Sequence, residues 1–284
     1  MKADSLRGQF VGSGADIMHI LSIQSSVARG FVGNRTAVFV LQRLGHDVTC
    51  IDTVAFSNHP AHGGFRGEVH PAHSIDGIAS GLEERGFLKD IDLVVSGYLG
   101  SAANAEAVAR TVDRVGAPYL LDPVMGDDPG GLFVAPDLPD TIRRELLPRA
   151  AAITPNRFEL SLLAGCEVDG PATAAEAAAG LGPSLTVATS VPAGEGRIAC
   201  VGVSEGEAWQ AAVPRVAHPG YGAGDLFASL FAARWRSGWA AAMALAAGTV
   251  HATIARSPGQ DLDIVGAQSL FADPPPPPPL EPVG

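Results

Sequence analysis

Short apolar runs alternate along this chain with stretches in which apolar residues recur at the spacing of an α-helix. Several of the short runs are apolar almost throughout, which is typical of strands covered on both faces. The short runs predict strands at Asp16–Ser22, Asp47–Asp52, Leu93–Ser96, Tyr119–Asp122, Ala151–Thr154, Leu185–Thr189, Ile198–Val203 and Ala208–Val213. The longer stretches predict helices at Asn34–Leu44, Ile75–Arg85, Asn104–Val115, Pro139–Leu147, Arg157–Ala164, Ala172–Gly180, Asp225–Ser237 and Trp239–Ala255.

This alternation predicts an α/β fold with a doubly wound, largely parallel central sheet and helices on both faces. Ligands of such sheets bind at the carboxyl ends of the strands, so polar motifs that follow strands are the candidates for a site. We expect a flexible leader at residues 1–16 and a single domain at residues 17–272. Residues 273–284 are expected to be a proline-rich tail, because six consecutive prolines favour polyproline II and do not suit a packed core.

The composition excludes several classes of function. The chain of 284 residues carries a net charge of −11, whereas nucleic-acid binders usually present basic patches. No apolar stretch reaches the ~20 residues that span a bilayer, and the N-terminus lacks the apolar core of a signal peptide. We therefore expect a cytoplasmic protein that binds neither nucleic acid nor membrane.

Lysine and cysteine are scarce. The two lysines are Lys2 and Lys89, and neither follows a glycine-rich loop, which excludes a P-loop nucleotide site and disfavours a Schiff-base lysine. The three cysteines show no zinc-site spacing, so we interpret them as reduced, small apolar residues. An early Gly-Ser-Gly at residues 12–14 precedes the first predicted strand, whereas a dinucleotide fingerprint must follow it.

The most informative motif is Gly222-Ala223-Gly224-Asp225, which stands directly before an apolar run at helical spacing. Glycines let the backbone approach a ligand closely, and the free N–H groups of a helix start attract anions. We predict that Gly222, Ala223 and Gly224 form an anion hole and that Asp225 takes the proton from a substrate hydroxyl. The motif alone is equally consistent with a plain aspartate cap of a helix.

Gly-Ala-Gly-Asp at a helix start is the signature of the ribokinase-like superfamily, and the chain resembles that superfamily over most of residues 17–256. Further motifs, in this order and spacing, look like those of the pyridoxal kinases. They are Ile20-Leu21-Ser22-Ile23-Gln24-Ser25, Gly33-Asn34, Phe56-Ser57-Asn58-His59, Ser96-Gly97-Tyr98, Asp122-Pro123-Val124-Met125-Gly126-Asp127 and Thr154-Pro155-Asn156-Arg157-Phe158-Glu159. The resemblance implies ATP-dependent phosphorylation of the 5′-hydroxyl of pyridoxal, and of pyridoxine or pyridoxamine as further candidates, by a homodimer.

The resemblance also implies roles for individual residues. It assigns substrate binding to Asp225 together with Ser25, which would meet the pyridine nitrogen, and with Val32, His59 and Tyr98. It assigns contacts with ATP to Asp122, Thr154, Asn156, Glu159, Thr189 and Val213. It implies Mg²⁺ held through Asp122, Asp127 and Glu159, and it leaves open whether a monovalent cation is required.

Two positions depart from the family pattern. Pro60 stands where the family usually has a threonine that helps to bind the substrate, and proline offers no hydrogen-bond donor. Tyr221 stands where the family commonly has a small aliphatic residue. Two alternatives therefore remain: a kinase of hydroxymethylpyrimidine or another small alcohol, and a non-catalytic protein that binds the vitamer. The glycine-rich segment at residues 61–67 matches the part that would cover the site, and we expect it to be mobile.

Overall fold

The computed structural model describes residues 17–217 and 220–284. The expected leader at residues 1–16 lies outside them. Within the described residues the chain forms twelve strands: β1 (His19–Val27), β2 (Asp47–Phe56), β3 (Gly67–Val69), β4 (Leu93–Ser96), β5 (Tyr119–Leu121), β6 (Gly126–Asp127), β7 (Gly131–Leu132), β8 (Ala152–Ile153), β9 (Leu185–Pro192), β10 (Arg197–Ser204), β11 (Glu207–Pro214) and β12 (Leu280–Pro282).

The same residues form nine α-helices: α1 (Asn34–Arg43), α2 (Ala72–Glu84), α3 (Ala102–Val115), α4 (Leu138–Thr141), α5 (Arg157–Ala164), α6 (Pro171–Ala179), α7 (Ala223–Ala232), α8 (Trp239–Arg256) and α9 (Ser269–Ala272). Short 3₁₀ turns lie at Pro60–His62, Phe87–Asp90, Leu147–Arg149 and Trp235–Ser237. None of the helices in this part of the chain has the length and apolar character needed to cross a membrane.

Ten of the strands described here form one sheet in the order β12-β11-β10-β9-β8-β5-β4-β1-β2-β3. Its centre is parallel throughout, from β9 to β2. Antiparallel strands extend both ends, with β3 beside β2 and with β10, β11 and β12 beyond β9. The predicted doubly wound, largely parallel sheet is confirmed.

Helices cover both faces of the sheet because alternate strand residues point to opposite faces. In β1, Ile20 packs in a core with apolar residues of α1, α7, α8 and α9. Its neighbour Leu21, together with Ile23, packs in a second core with residues of α2, α3, α4 and α5. These strand side chains are fully buried, which explains why the strands read as continuous apolar runs.

Two predicted helices end earlier in the structure. The helix predicted at Pro139–Leu147 is α helical only over Leu138–Thr141, then becomes a π turn at Ile142–Leu146 and a 3₁₀ turn at Leu147–Arg149. Pro148 has no N–H to donate, so a regular helix cannot continue through it. The helix predicted at Asp225–Ser237 is regular only to Ala232.

The C-terminal segment differs from the expected tail. Residues 280–282 pair antiparallel with Trp209, Gln210 and Ala211 and so add an edge strand to the sheet. The preceding prolines run beside α8, where Gly248 leaves the room that Pro278 uses: a Cβ at Gly248 would lie 3.0 Å from Pro278 Cδ. Polyproline needs no hydrogen bonds of its own, so it can cross a helix surface and deliver an edge strand.

Candidate active site

Asp225 lies in the first turn of α7, directly after the glycine turn. The helix cap is Gly222, whose φ of 88° belongs to the left-handed region that favours glycine. Burial raises the pKa of Asp225 to about 6, although the backbone N–H of Gly33, which lies close to the carboxylate, opposes the shift. A carboxylate with this pKa is a stronger base than an ordinary aspartate and is still ionised at neutral pH.

Gly33 also connects Asp225 to Ser25. Gly33 has a φ of 53°, and a Cβ built on it would collide with both the carbonyl oxygen and the hydroxyl of Ser25. Gly222 is packed in the same way against the loop after β1, since its Cβ would collide with the carbonyl oxygen of Phe31. The glycine turn of α7 therefore contacts the loop after β1, and Gly33 of that loop packs against Ser25 of the strand.

An apolar wall adjoins this contact. Val32 packs in a small core with Val27, Val54 and Phe56, and the half-buried Tyr98 packs against it. Burial raises the pKa of the Tyr98 phenol, so that side chain stays neutral. The structure thus brings together two of the residues predicted to line the substrate ring, and this wall of aliphatic and aromatic groups is typical of a small-molecule pocket.

Asp122 follows β5 and, like Glu159, is a buried carboxylate. Its Oδ1 accepts a hydrogen bond of 3.1 Å from the Thr154 hydroxyl, while its Oδ2 has no hydrogen-bond partner among the described residues. Burial raises its pKa well above the usual range, and the charges of Glu159 and Asp225 raise it further. The free oxygen and the nearby carboxylates make this a place where a cation would be stabilised.

Glu159 is held by backbone amides at the start of α5. Its carboxylate accepts hydrogen bonds from the N–H groups of Met125 (2.9 Å) and Asn156 (2.8 Å), while Asn156 caps the helix and donates to the Gly126 carbonyl at 2.7 Å. Burial raises the pKa of Glu159 to about 8 against the opposing effect of these amides. Asn156 and Glu159 therefore form a capping box, which ties α5 to the loop after Asp122.

The three residues expected to hold Mg²⁺ do not form one ligand set. No three His, Cys, Asp or Glu side chains within residues 17–217 and 220–284 converge as a metal site. Asp127 is exposed in β6, and both carboxylate oxygens of Glu159 already accept backbone hydrogen bonds. Asp122 keeps a free buried oxygen, and proteins commonly hold Mg²⁺ with one or two carboxylates plus substrate phosphates. The chain thus fits a magnesium ion that arrives with its nucleotide.

The other predicted nucleotide contacts lie further along the sheet. Thr189 donates its backbone N–H to the Pro155 carbonyl at 2.8 Å and pairs with Asn156 in a parallel bridge. Val213 lies in β11, two strands beyond the strand of Thr189. The structure therefore brings Thr189 beside the Asn156 cap, whereas the role of Val213 stays a prediction.

His59 belongs to a cluster that the sequence did not predict. Its ring stacks on that of Tyr221 with centroids 4.8 Å apart and planes at 20°. His62 forms a hydrogen bond of 2.8 Å with Asp261, which is far away in the sequence. Burial lowers the pKa of His59, so its imidazole is neutral at neutral pH. The only signal in the sequence was the unusual size of Tyr221, and nothing marked His62 or Asp261.

Known proteins match the chain over almost its whole length. The chain is 40% identical over 283 residues to a pyridoxal kinase of Rubrobacter xylanophilus, covering 94% of this chain and 98% of that relative. The chain belongs to the pyridoxal kinase family. A pyridoxal kinase of Leifsonia xyli is also 40% identical, over 96% of its length. A family model described as phosphomethylpyrimidine kinase matches residues 84–264.

Solved pyridoxal kinases share the fold. The pyridoxal kinase of Leishmania donovani in complex with ADP and pyridoxine has a TM-score of 0.86 and 31% sequence identity, covering 94% of this chain and 99% of that chain. Membership of the pyridoxal kinase family agrees with the ribokinase-like resemblance and with the order of the motifs from Ser25 to Asp225.

Proposed function

We propose that this protein transfers the γ-phosphoryl group of ATP to the 5′-hydroxyl of pyridoxal, giving pyridoxal 5′-phosphate and ADP. The observation that carries the proposal is Asp225, whose partly buried carboxylate stands at the start of α7 close to the N–H of Gly33, which itself packs against Ser25. The activity of the family and the ligands of the Leishmania donovani enzyme support the choice of ATP and a B6 vitamer. Pyridoxine and pyridoxamine are further candidate substrates.

In this proposal Asp225 is the general base. It takes the proton of the 5′-hydroxyl as the hydroxyl oxygen bonds to the γ-phosphorus and the bond to ADP breaks. The N–H of Gly33 orients the carboxylate, and burial keeps its basicity above that of an aspartate in water. The backbone N–H groups of Gly222 and Gly224, at the positive end of α7, stabilise the charge of the transferred group. The N–H of Ala223, expected to share this role, instead donates to the Gly220 carbonyl at 2.9 Å.

In this proposal the vitamer is bound by Ser25, Val32, His59 and Tyr98. The Ser25 hydroxyl suits a pyridine nitrogen because it can donate a hydrogen bond without adding a charge. Val32 and Tyr98 form the apolar wall described above.

In this proposal the nucleotide is contacted by six residues: Asp122, Thr154, Asn156, Glu159, Thr189 and Val213. Mg²⁺ bound with ATP would neutralise charge on the phosphates, and Asp122 would hold it, with Asp127 and Glu159 acting through water. We further propose that the protein works as a homodimer in the cytoplasm, as the family resemblance implies.

The family-model match and two residues support a second candidate. The model is described as phosphomethylpyrimidine kinase, and Pro60 and Tyr221 change the expected pyridoxal contacts. A hydroxymethylpyrimidine kinase would use the same Asp225 base and the same glycine turn. A non-catalytic vitamer-binding protein is the third candidate, and the intact Asp122 and Asp225 argue against it.

The test is a substrate panel. Purified protein is incubated with ATP and Mg²⁺ and with pyridoxal, pyridoxine, pyridoxamine or hydroxymethylpyrimidine, and ADP release and pyridoxal phosphate formation are followed. Turnover of pyridoxal well above that of the pyrimidine supports the proposal. Turnover of the pyrimidine alone would identify hydroxymethylpyrimidine as the substrate and leave the role of Asp225 as base unchanged. No turnover with any alcohol would favour a non-catalytic vitamer-binding protein.

A further inference from the structure

The backbone around Tyr221 is fixed to a distant part of the chain. Its N–H donates a hydrogen bond of 2.8 Å to the Gln260 carbonyl, and Tyr221 forms a parallel bridge with Asp261. The preceding Gly220 is packed so closely that a Cβ there would lie 2.8 Å from Leu262 and 2.9 Å from Ile254. Tyr221 stands just before the glycine turn that leads to Asp225, and the segment after α8 thus determines its position.

The ring of Tyr221 meets two histidines of the segment that follows β2. It stacks face to face on His59, at 4.8 Å, and meets His62 edge on, at 5.9 Å and 73°. His62 in turn bonds through Nε2 to Oδ1 of Asp261 at 2.8 Å. Two separate contacts, an aromatic stack and a hydrogen bond, therefore connect residues 57–66 to the elements that position Asp225. We call residues 57–66 the cover loop.

The two ends of the cover loop have contacts of their own: the Phe65 ring packs on that of Phe56 with centroids 4.3 Å apart, and the Ser57 carbonyl accepts the N–H of Arg29 at 3.0 Å. The residues of the loop are largely exposed, and the hydrogen bonds of Asn58 to the carbonyls of His59 and Gly64 are internal to the loop. Pro60 supplies no side-chain or backbone donor at the position where the family usually has a threonine. The Tyr221 stack and the His62–Asp261 hydrogen bond accordingly hold the middle of the loop, which carries His59, against the rest of the protein.

We propose that Tyr221 is a positioning and specificity-determining residue that holds His59 at the vitamer ring. Tyr221 and Asp261 together attach the cover loop to the body of the protein. This inference rests on the proposed function, because His59 is taken as a vitamer contact. The stack takes the place of the contact that Pro60 cannot make. Loss of the ring should weaken binding of the vitamer while leaving the chemistry at Asp225 in place.

The experiment measures KM and kcat for pyridoxal in wild type, Tyr221→Val, Tyr221→Phe and Asp261→Asn. An aromatic pair is worth a factor of about 2 to 12 in an equilibrium, so Tyr221→Val should raise KM for pyridoxal by that factor with kcat changed less than about twofold. Tyr221→Phe should restore KM to near the wild-type value, and Asp261→Asn should raise it less than Tyr221→Val. Phe87→Val, at an exposed aromatic far from the site, is the matched control.

Limited trypsin cleavage after Arg66 reports on the cover loop without any substrate. Cleavage should be several-fold faster in Tyr221→Val than in wild type or Phe87→Val, because the loop is released. Unchanged cleavage and KM in Tyr221→Val would overturn the inference, as would a Tyr221→Phe variant as impaired as Tyr221→Val. If wild type does not phosphorylate pyridoxal, the proposed function fails, and the cleavage rates then decide the fastening role by themselves.

Discussion

Replacing Asp225 by asparagine should abolish turnover and, at the same time, stabilise the fold. In the folded protein the pKa of Asp225 is raised from 3.8 to about 6, so ionising this group costs free energy. A shift of roughly two units corresponds to about 3 kcal/mol at pH values above the folded-state pKa. Asparagine is close in shape, can still accept the Gly33 N–H and carries no charge, so the variant avoids that cost.

The sign follows from proton linkage. A carboxyl group with a raised pKa stabilises the fold fully below about pH 4 and loses that contribution as the pH rises through about 6. The advantage of Asp225→Asn should therefore be complete at pH 8 and about half as large at pH 5. With a melting entropy typical of a chain of this size, about 3 kcal/mol corresponds to roughly 5 °C in Tm.

The assay is thermal unfolding at pH 5 and pH 8, paired with pyridoxal turnover at pH 8. Asp140→Asn is the matched control, since Asp140 is an exposed surface residue that pairs only with Arg143. This control should change neither Tm nor turnover appreciably. An Asp225→Asn protein that melts below wild type at pH 8 would refute the account of burial, and one that keeps normal turnover would refute the role as base.

Three further changes test other parts of the site. In wild type, kcat/KM for pyridoxal should fall about tenfold per pH unit below about pH 6, because the Asp225 base becomes protonated; a flat profile down to pH 5 would contradict this. Asp122→Asn should raise the Mg²⁺ concentration needed for half-maximal activity by at least about tenfold, measured by titration at saturating ATP, and an unchanged titration would remove Asp122 from the metal site. Gly33→Ala should lower Tm and abolish pyridoxal binding, because its Cβ collides with Ser25, whereas Gly30→Ala meets open space and costs only about 1–2 kcal/mol of backbone strain. Equal effects of the two glycine variants in thermal unfolding and in binding would contradict the packing argument.

The sequence by itself determined the class of fold. Fully buried strands leave continuous apolar runs, and the helices between them carry a regular period, so alternation alone predicted the parallel sheet. It also determined the motifs that follow strands: Asp122, Thr154 and the Asn156–Glu159 capping box lie where their positions in the chain indicated. Such features are local, since each depends on residues within one turn or one strand.

Only the tertiary structure decided which distant groups meet. The Gly33 amide reaches Asp225 across most of the chain, and the pKa of Asp225 depends on burial that no local pattern records. The C-terminal strand is a second example, because it depends on the free edge of β11 to pair with, whereas the prolines before it predict a tail.

The cluster of Tyr221, His59, His62 and Asp261 is the clearest case. Its members come from three loops, and loops have no periodicity from which their contacts can be inferred. The sequence marks Tyr221 as unusual because its ring is large for its position. Its partners depend on the fold, which places residue 261 beside residue 62. The chain order sets the strands and the chemistry of the motifs, whereas long-range packing sets the distances, the pKa values and the fastening of the loop over the site.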